Sequence, residues 1–357
     1  MSKKATDEEE FDNDKYEEAF KNAYDEKQSE FDEISKQNLI ISLIGGVNTG
    51  KSTTIEALTG IEYTEVSPIA GSTTKISLHK LYDGVFVADT PGLFDVNPDI
   101  SKKASEFVEN RADIILFFLN AAVGITIHEK AAFNEITKLG KKILVVLNQI
   151  DTRKEKDIPL IINQINGELG VSTIPISSGT GFGIENLNNE IIKILEKNGK
   201  DLLFLKISKY KESSVKKWIM SATATALSIG ALPIPGSDII PLTTLQVGLA
   251  MKIAYIYDIK PSKDDIMKLI ASTITGSVGK QLTRWGISIL KGAGWFPAFW
   301  PFEIGISLVA GSVAAAMTYG FGWSCNAYYK SGMELDMKDF AAIFNDLVDK
   351  YKNQNND

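Results

Sequence analysis

The stretch from Leu39 to Ser52, LIISLIGGVNTGKS, constrains this 357-residue chain more than any other. Leu39-Ile-Ile-Ser-Leu-Ile44 is a short apolar run of the length of a buried strand. Gly45-Gly-Val-Asn-Thr-Gly50-Lys51-Ser52 follows directly and fits the pattern G-x-x-x-x-G-K-[ST]. Ser52-Thr-Thr-Ile-Glu-Ala-Leu-Thr then has a helical pattern that Gly60 closes as a C-cap. In a strand, glycine loop and helix of this order the backbone curls so that its N–H groups point at phosphate oxygens. Lys51 is then placed to reach the β- and γ-phosphates, and the Ser52 hydroxyl to ligate Mg²⁺. Gly45, Gly46, Val47, Asn48, Thr49, Gly50 and Thr53 are the remaining candidate phosphate-loop contacts.

The surrounding pattern agrees with such a loop. Val85-Phe-Val-Ala88, Ile114-Ile-Leu-Phe-Phe-Leu119 and Ile143-Leu-Val-Val-Leu147 are further short, continuous apolar runs. Strands covered on both faces by helices look like this. Helical stretches are expected between them near 51–59, 101–110, 127–139, 157–168 and 184–197. Strand and helix in alternation predict an α/β fold, a doubly wound and mostly parallel sheet with its ligand at the carboxyl ends of the strands. This domain should cover residues 38–200.

Two of those strand ends carry chemistry. Asp89-Thr-Pro-Gly92 follows one apolar run, so that Asp89 can hold Mg²⁺ and the Gly92 N–H can turn to a γ-phosphate. The alternative is an ordinary strand-to-turn corner. Asn148-Gln149-Ile150-Asp151 follows another. A carboxylate there accepts two hydrogen bonds from the N1–H and N2–H₂ edge of guanine, a donor pair that adenine lacks, so Asp151 selects the base. Ser177-Ser178-Gly179, after a further strand-like run, brings a backbone N–H to the guanine O6.

Taken together, these motifs resemble an Era/TrmE-type P-loop GTPase across residues 38 to about 198. The resemblance implies binding of GTP and GDP with Mg²⁺, and hydrolysis of GTP. It places Gly71-Ser-Thr73-Thr74 in the first switch, where either Thr73 or Thr74 closes on Mg²⁺, Thr74 being preferred. Lys51, Thr74 and Gly92 would make the catalytic contacts; Ser52, Thr74 and Asp89 would hold Mg²⁺. Asn148, Gln149, Asp151, Ser177 and Ser178 would hold the base. Gln149 departs from the family's usual lysine, whose stem lies along the base. Leu93 stands where Ras-like proteins have the glutamine that orients water, which implies slow intrinsic turnover. In the TrmE-like subgroup an asparagine matching Asn48 binds K⁺ beside the phosphates; the other reading is that Asn48 only shapes the loop. Many relatives pair their nucleotide faces in a homodimer, which would complete catalysis in trans.

The flanking regions differ in kind. Residues 1–37 hold 13 acidic and 6 basic side chains, the whole of the net charge of −7, while residues 38–357 hold 32 of each sign. Such a balance lacks the basic footprint of a nucleic-acid binder, and no nucleic-acid partner is expected. Tyr16, Phe20, Ala23, Tyr24, Lys27, Phe31 and Ile34 recur at helical spacing, predicting an amphipathic helix that docks on the second domain or stands as a solvated tail. One cysteine, Cys325, allows no internal disulfide, and two histidines, His79 and His128, leave little for a His-rich metal site. The first residues show no secretory pattern, so the chain is expected in the cytoplasm, at the inner face of a membrane.

Residues 206–333 read as an all-helical apolar domain, and 334–357 as a polar helix and tail. All five tryptophans lie after Lys206, and no charge occurs from Trp218 to Ser237 or from Ile304 to Tyr329. The latter stretch is long enough to span a bilayer at about 1.5 Å per residue, though rich in small and hydroxyl residues. Membrane contact through 206–333 is the preferred expectation, spanning the weaker one, and a soluble bundle the alternative. Pro-Ile-Pro-Gly-Ser-Asp238-Ile-Ile-Pro, with Gln246, Tyr255 and Thr283-Arg284, resembles an uncharacterised helical domain that follows Era-type GTPases in bacteria. The layout as a whole weakly resembles the immunity-related GTPases.

Overall fold

The structure, a computed structural model, describes residues 13–62, 77–89, 98–231, 239–274 and 302–354. The chain divides into two compact units, Asp32–Lys211 and Met1–Phe31 together with Glu212–Asp357.

The first unit is built on a six-stranded sheet. Its strands are β1 (Leu39–Gly45), β2 (Ser77–Tyr82), β3 (Val85–Asp89), β4 (Ile114–Asn120), β5 (Ile143–Asn148) and β6 (Thr173–Pro175), in the order β2-β3-β1-β4-β5-β6. All neighbours are parallel except β2, which pairs antiparallel with β3 at the edge. Strand β2 was missed in the sequence because Ser77-Leu-His-Lys-Leu-Tyr82 mixes polar and apolar residues, as a half-covered edge strand does. Central β1 and β4 are buried at every position but their last. This is why they read as nearly continuous apolar runs, broken only by Ser42 of β1. The strand order reverses at β1, so the crevice at the carboxyl ends of β1 and β4 is where a doubly wound sheet takes its ligand.

Helices α2 (Lys51–Thr59), α3 (Pro98–Arg111), α4 (Ile127–Thr137), α5 (Ile158–Leu169) and α6 (Ile184–Glu196) follow the strands. Phe117, Phe133, Ile136 and Val145 belong to one buried cluster between sheet and helices, with Phe117 and Phe133 meeting edge to face at 5.5 Å. Short helix α7 (Asp201–Ile207) closes the unit, burying all of its residues but Lys206. Lys200 just before it pairs with Asp113 at 2.6 Å and donates to the Asn38 carbonyl, while Asp113 also accepts from the Ile40 N–H. That pairing pins α7 to the starts of β1 and β4.

The described regular elements of the second unit are all helices. It contains α8 (Lys211–Gly230), α9 (Ile239–Ile256), α10 (Lys263–Ile274), α11 (Phe302–Lys330) and α12 (Met337–Gln354). Helix α1 (Asn13–Ser35) joins it through its middle and later turns: Phe31 stacks on Tyr255 at 4.9 Å, and the Tyr24 hydroxyl donates to the Pro261 carbonyl. Ser262 and Asp265 cap α10 reciprocally, and these hydrogen bonds from Ser262 hold the Asp265 carboxyl below its ordinary range.

Helix α11 carries the charge-free stretch from Ile304 to Tyr329. Among the described residues, no helix is long and apolar enough to cross a membrane. Alanine, glycine, serine and threonine dilute its hydropathy, and packing uses its surface. Phe321 and Tyr328 meet Phe340 of α12 edge to face, and Tyr329 and Cys325 are fully enclosed. Its small residues serve helix contact: a Cβ on Gly311 would lie 2.6 Å from the Leu227 carbonyl of α8. Burial also pushes the Cys325 thiol well above its ordinary pKa, so it is inert packing.

Candidate functional site

Helix α2 starts without a side-chain cap. Its N-cap is Gly50 at φ 80°, which turns the chain from the loop into the helix and leaves the first N–H groups of α2 to a ligand. The loop is braced from within. Buried Thr49 donates from its hydroxyl to the Gly46 carbonyl at 2.9 Å, and Lys51 Nζ donates to the Gly45 and Gly46 carbonyls, both at 3.1 Å. Lys51 therefore lies back over the loop, beside the α2 N-terminus. Val47, Asn48, Ser52 and Thr53 are exposed around it.

Three loops meet at Asn148, the fully buried last residue of β5. Its Nδ2 donates to the Thr49 carbonyl at 2.9 Å and to Ser178 Oγ at 3.0 Å. Its Oδ1 accepts from the N–H groups of Gln149 and Ser178 at 2.8 and 3.1 Å. One amide thus joins the phosphate loop, the turn after β5 and the turn after β6. Asp151 sits in the 3-10 turn Ile150–Thr152, exposed, with the turn held by Ile150 N–H to the Ile176 carbonyl and Thr152 Oγ1 to the Gln149 carbonyl. Ser177 is buried and receives the Thr180 N–H on its hydroxyl, which curls the loop beside Asp151.

Asp89 ends β3, half-buried and in register with Leu43 of β1. Thr73, Thr74, Gly92 and Leu93 lie outside the described residues. Among the described residues no group of three or more His, Cys, Asp or Glu side chains is gathered for a metal. A Mg²⁺ ion needs no such group. It keeps several waters and takes one or two hard oxygens beside the phosphates, a demand that the Ser52 hydroxyl and Asp89 carboxylate fit.

Two contributors escaped the sequence reading. Asn120 ends β4 in register with Asn148 and donates to Gln149 Oε1 at 2.8 Å. Arg153 donates from Nε to the Ala121 carbonyl at 2.8 Å, and from its guanidinium also to the Ala122 carbonyl. The available signal was position: Asn120 ends the run from Ile114 as Asn148 ends the run from Ile143.

A doubly wound, mostly parallel sheet with a lysine-bearing glycine loop at its switch point is the fold of a P-loop GTPase domain. Residues 40–149 match the family described as 50S ribosome-binding GTPase, and residues 200–353 match a domain of unknown function, DUF697. The first folded unit is thus Era/TrmE-like, and the helical family domain follows it. The tRNA modification GTPase MnmE of Paraburkholderia xenovorans is 30% identical over 167 residues, which are 45% of this chain and 35% of that protein. GTPase Der of Pseudothermotoga lettingae is 31% identical over 188 residues, 49% of this chain and 40% of Der. Among solved structures, Aquifex aeolicus Era bound to GDP·AlF₄⁻ overlays at 26% identity, covering 44% of this chain and 57% of that one, with a TM-score of 0.35. The chain spans 35–40% of the length of those two curated relatives.

Proposed function

We propose that the chain is a Mg²⁺-dependent, GTP-hydrolysing switch of slow intrinsic turnover, whose helical unit is the effector and works at a membrane surface. The observation that carries the reading is the Asn148 amide, which gathers the phosphate loop and both base-side turns around an exposed Asp151. In this reading Asp151 and the Ser177–Ser178 turn take guanine, and Lys51 and the α2 N-terminus take the phosphates. Ser52, Asp89 and Thr74 are the oxygen ligands of Mg²⁺, and the Gly92 N–H meets the γ-phosphate. When bound, the ion offsets phosphate charge. Leu93 cannot orient water, so the remaining electrostatic help is assigned to K⁺ at Asn48, or to a second copy of the chain across the nucleotide face.

Phosphate release with GTP and Mg²⁺ tests this. Turnover should rise several-fold in K⁺ over Na⁺, and Asn48→Ala should remove the difference. Equal rates would return Asn48 to shaping the loop. No turnover in either salt, with GTP still bound, would replace the switch by a nucleotide-sensing scaffold.

The membrane part rests on distribution. Every tryptophan falls between residues 206 and 333, and Met220, Leu227 and Ile240 are exposed on α8 and α9. Full-length chain should sediment with lipid vesicles and resist release by salt, because apolar contact is little screened. Chain that stays in the supernatant in both nucleotide states would make the helical unit a protein-interaction module. A relative is named a tRNA modification GTPase, so an RNA-linked role is the other reading. The even 32 to 32 charge balance from residue 38 onward gives it no excess of basic side chains.

A further inference from the structure

We propose that Asn120 is a positioning residue of the nucleotide site: through Gln149 it holds the main chain of the phosphate loop at Asn48. This rests on the reading of that loop as the nucleotide site. The geometry is a relay of three hydrogen bonds. Asn120 Oδ1 accepts from the Ala122 N–H at 2.7 Å, Asn120 Nδ2 donates to Gln149 Oε1 at 2.8 Å, and Gln149 Nε2 donates to the Asn48 carbonyl at 2.9 Å.

The relay has only one workable direction. An amide has one accepting and one donating end. The Ala122 N–H claims the accepting end of Asn120, so its NH₂ must face Gln149. Gln149 must then turn its oxygen to Asn120 and its NH₂ to the loop, where only a carbonyl waits. Reversing either amide would set donor against donor and acceptor against acceptor.

Both ends of the final link are backbone outliers. Asn48 and Gln149 stand at φ 62° and 61°, two of the four non-glycine residues at positive φ among those described. Asparagine tolerates that region, whereas glutamine gains nothing local from it, so surrounding bonds must hold it there. The anchor is firm: Asn120 is the last residue of a buried central strand, and Arg153 grips the carbonyls of Ala121 and Ala122 that follow it. The carboxyl end of this central strand is thereby tied to the loop through two uncharged amides. A lysine at 149 could donate to Asn48 but could accept nothing from Asn120, so the two amides are a matched pair.

The test is a double-mutant cycle on the full chain, read as GDP affinity with a fluorescent GDP analogue. Asn120→Asp keeps the acceptor for Ala122 and removes the donor to Gln149. It should weaken GDP about tenfold, the worth of one or two hydrogen bonds. In a Gln149→Ala background the same change should cost twofold or less, because the relay is already cut. Asn120→Ala, which adds no charge, should repeat the pattern, and thermal midpoints of all variants report whether they fold. A loss of equal size in both backgrounds, or none in either, overturns the proposal. Failure of the unaltered chain to bind GDP would instead remove the nucleotide reading itself.

Discussion

Asp151→Asn should invert the base preference of the chain, cutting GDP affinity by roughly 10²- to 10⁴-fold and raising affinity for XDP. The size follows from two hydrogen bonds to a charged acceptor, each worth about 1.5–3 kcal/mol. Guanine presents two donors, N1–H and N2–H₂, to the carboxylate. The amide of the variant would set one of its own donors against them. Xanthine carries an oxygen at that carbon, and the amide can donate to it. Asp151 is exposed, and its turn is held by main-chain and Thr152 bonds to the Ile176 and Gln149 carbonyls. The substitution should therefore leave folding unchanged. Competition between GDP and XDP for a fluorescent analogue reads the outcome. A chain that binds ATP as well as GTP before mutation would remove Asp151 from the role of base selector.

Gly50→Ala should abolish nucleotide binding and cost about 2–4 kcal/mol of stability. Two penalties coincide there. At φ 80° a side chain is strained wherever it points, and a Cβ would lie 2.2 Å from Asn148 Nδ2. That amide cannot step aside cheaply, since it is bonded to Thr49, Ser178 and the Gln149 N–H. Moving it would separate the three loops that it gathers. Urea unfolding of the first unit's signal and titration with a GDP analogue measure the two effects. Retained affinity within threefold of the unaltered chain would show that Asn148 does not organise the site.

The parts of this molecule that depend on local chemistry could be read before any coordinates. Nearly continuous apolar runs at Leu39, Val85, Ile114 and Ile143 announced strands covered on both faces, because burial on both faces removes most polar residues from both. The glycines around Lys51 announced a loop without side chains in its way, leading into a helix. What escaped was of the opposite kind. Edge strand β2 has one covered face and no apolar run to betray it. Asn120 and Arg153 look like ordinary polar residues, and their part in the site depends on a neighbouring strand in register and on a turn about 30 residues away.

The same division holds for the apolar C-terminal half. Its composition shows helices that must hide their surface, but hydropathy does not say from what. Close approach of Gly311 to α8, and of Phe321 and Tyr328 to Phe340, is a property of helices brought side by side. Sequence patterns record what each segment needs to bury or bind, since propensity and burial act residue by residue. Which partner meets that need is decided by long-range packing, where residues distant in the chain come within a few ångströms and only three-dimensional arrangement sets the pairing.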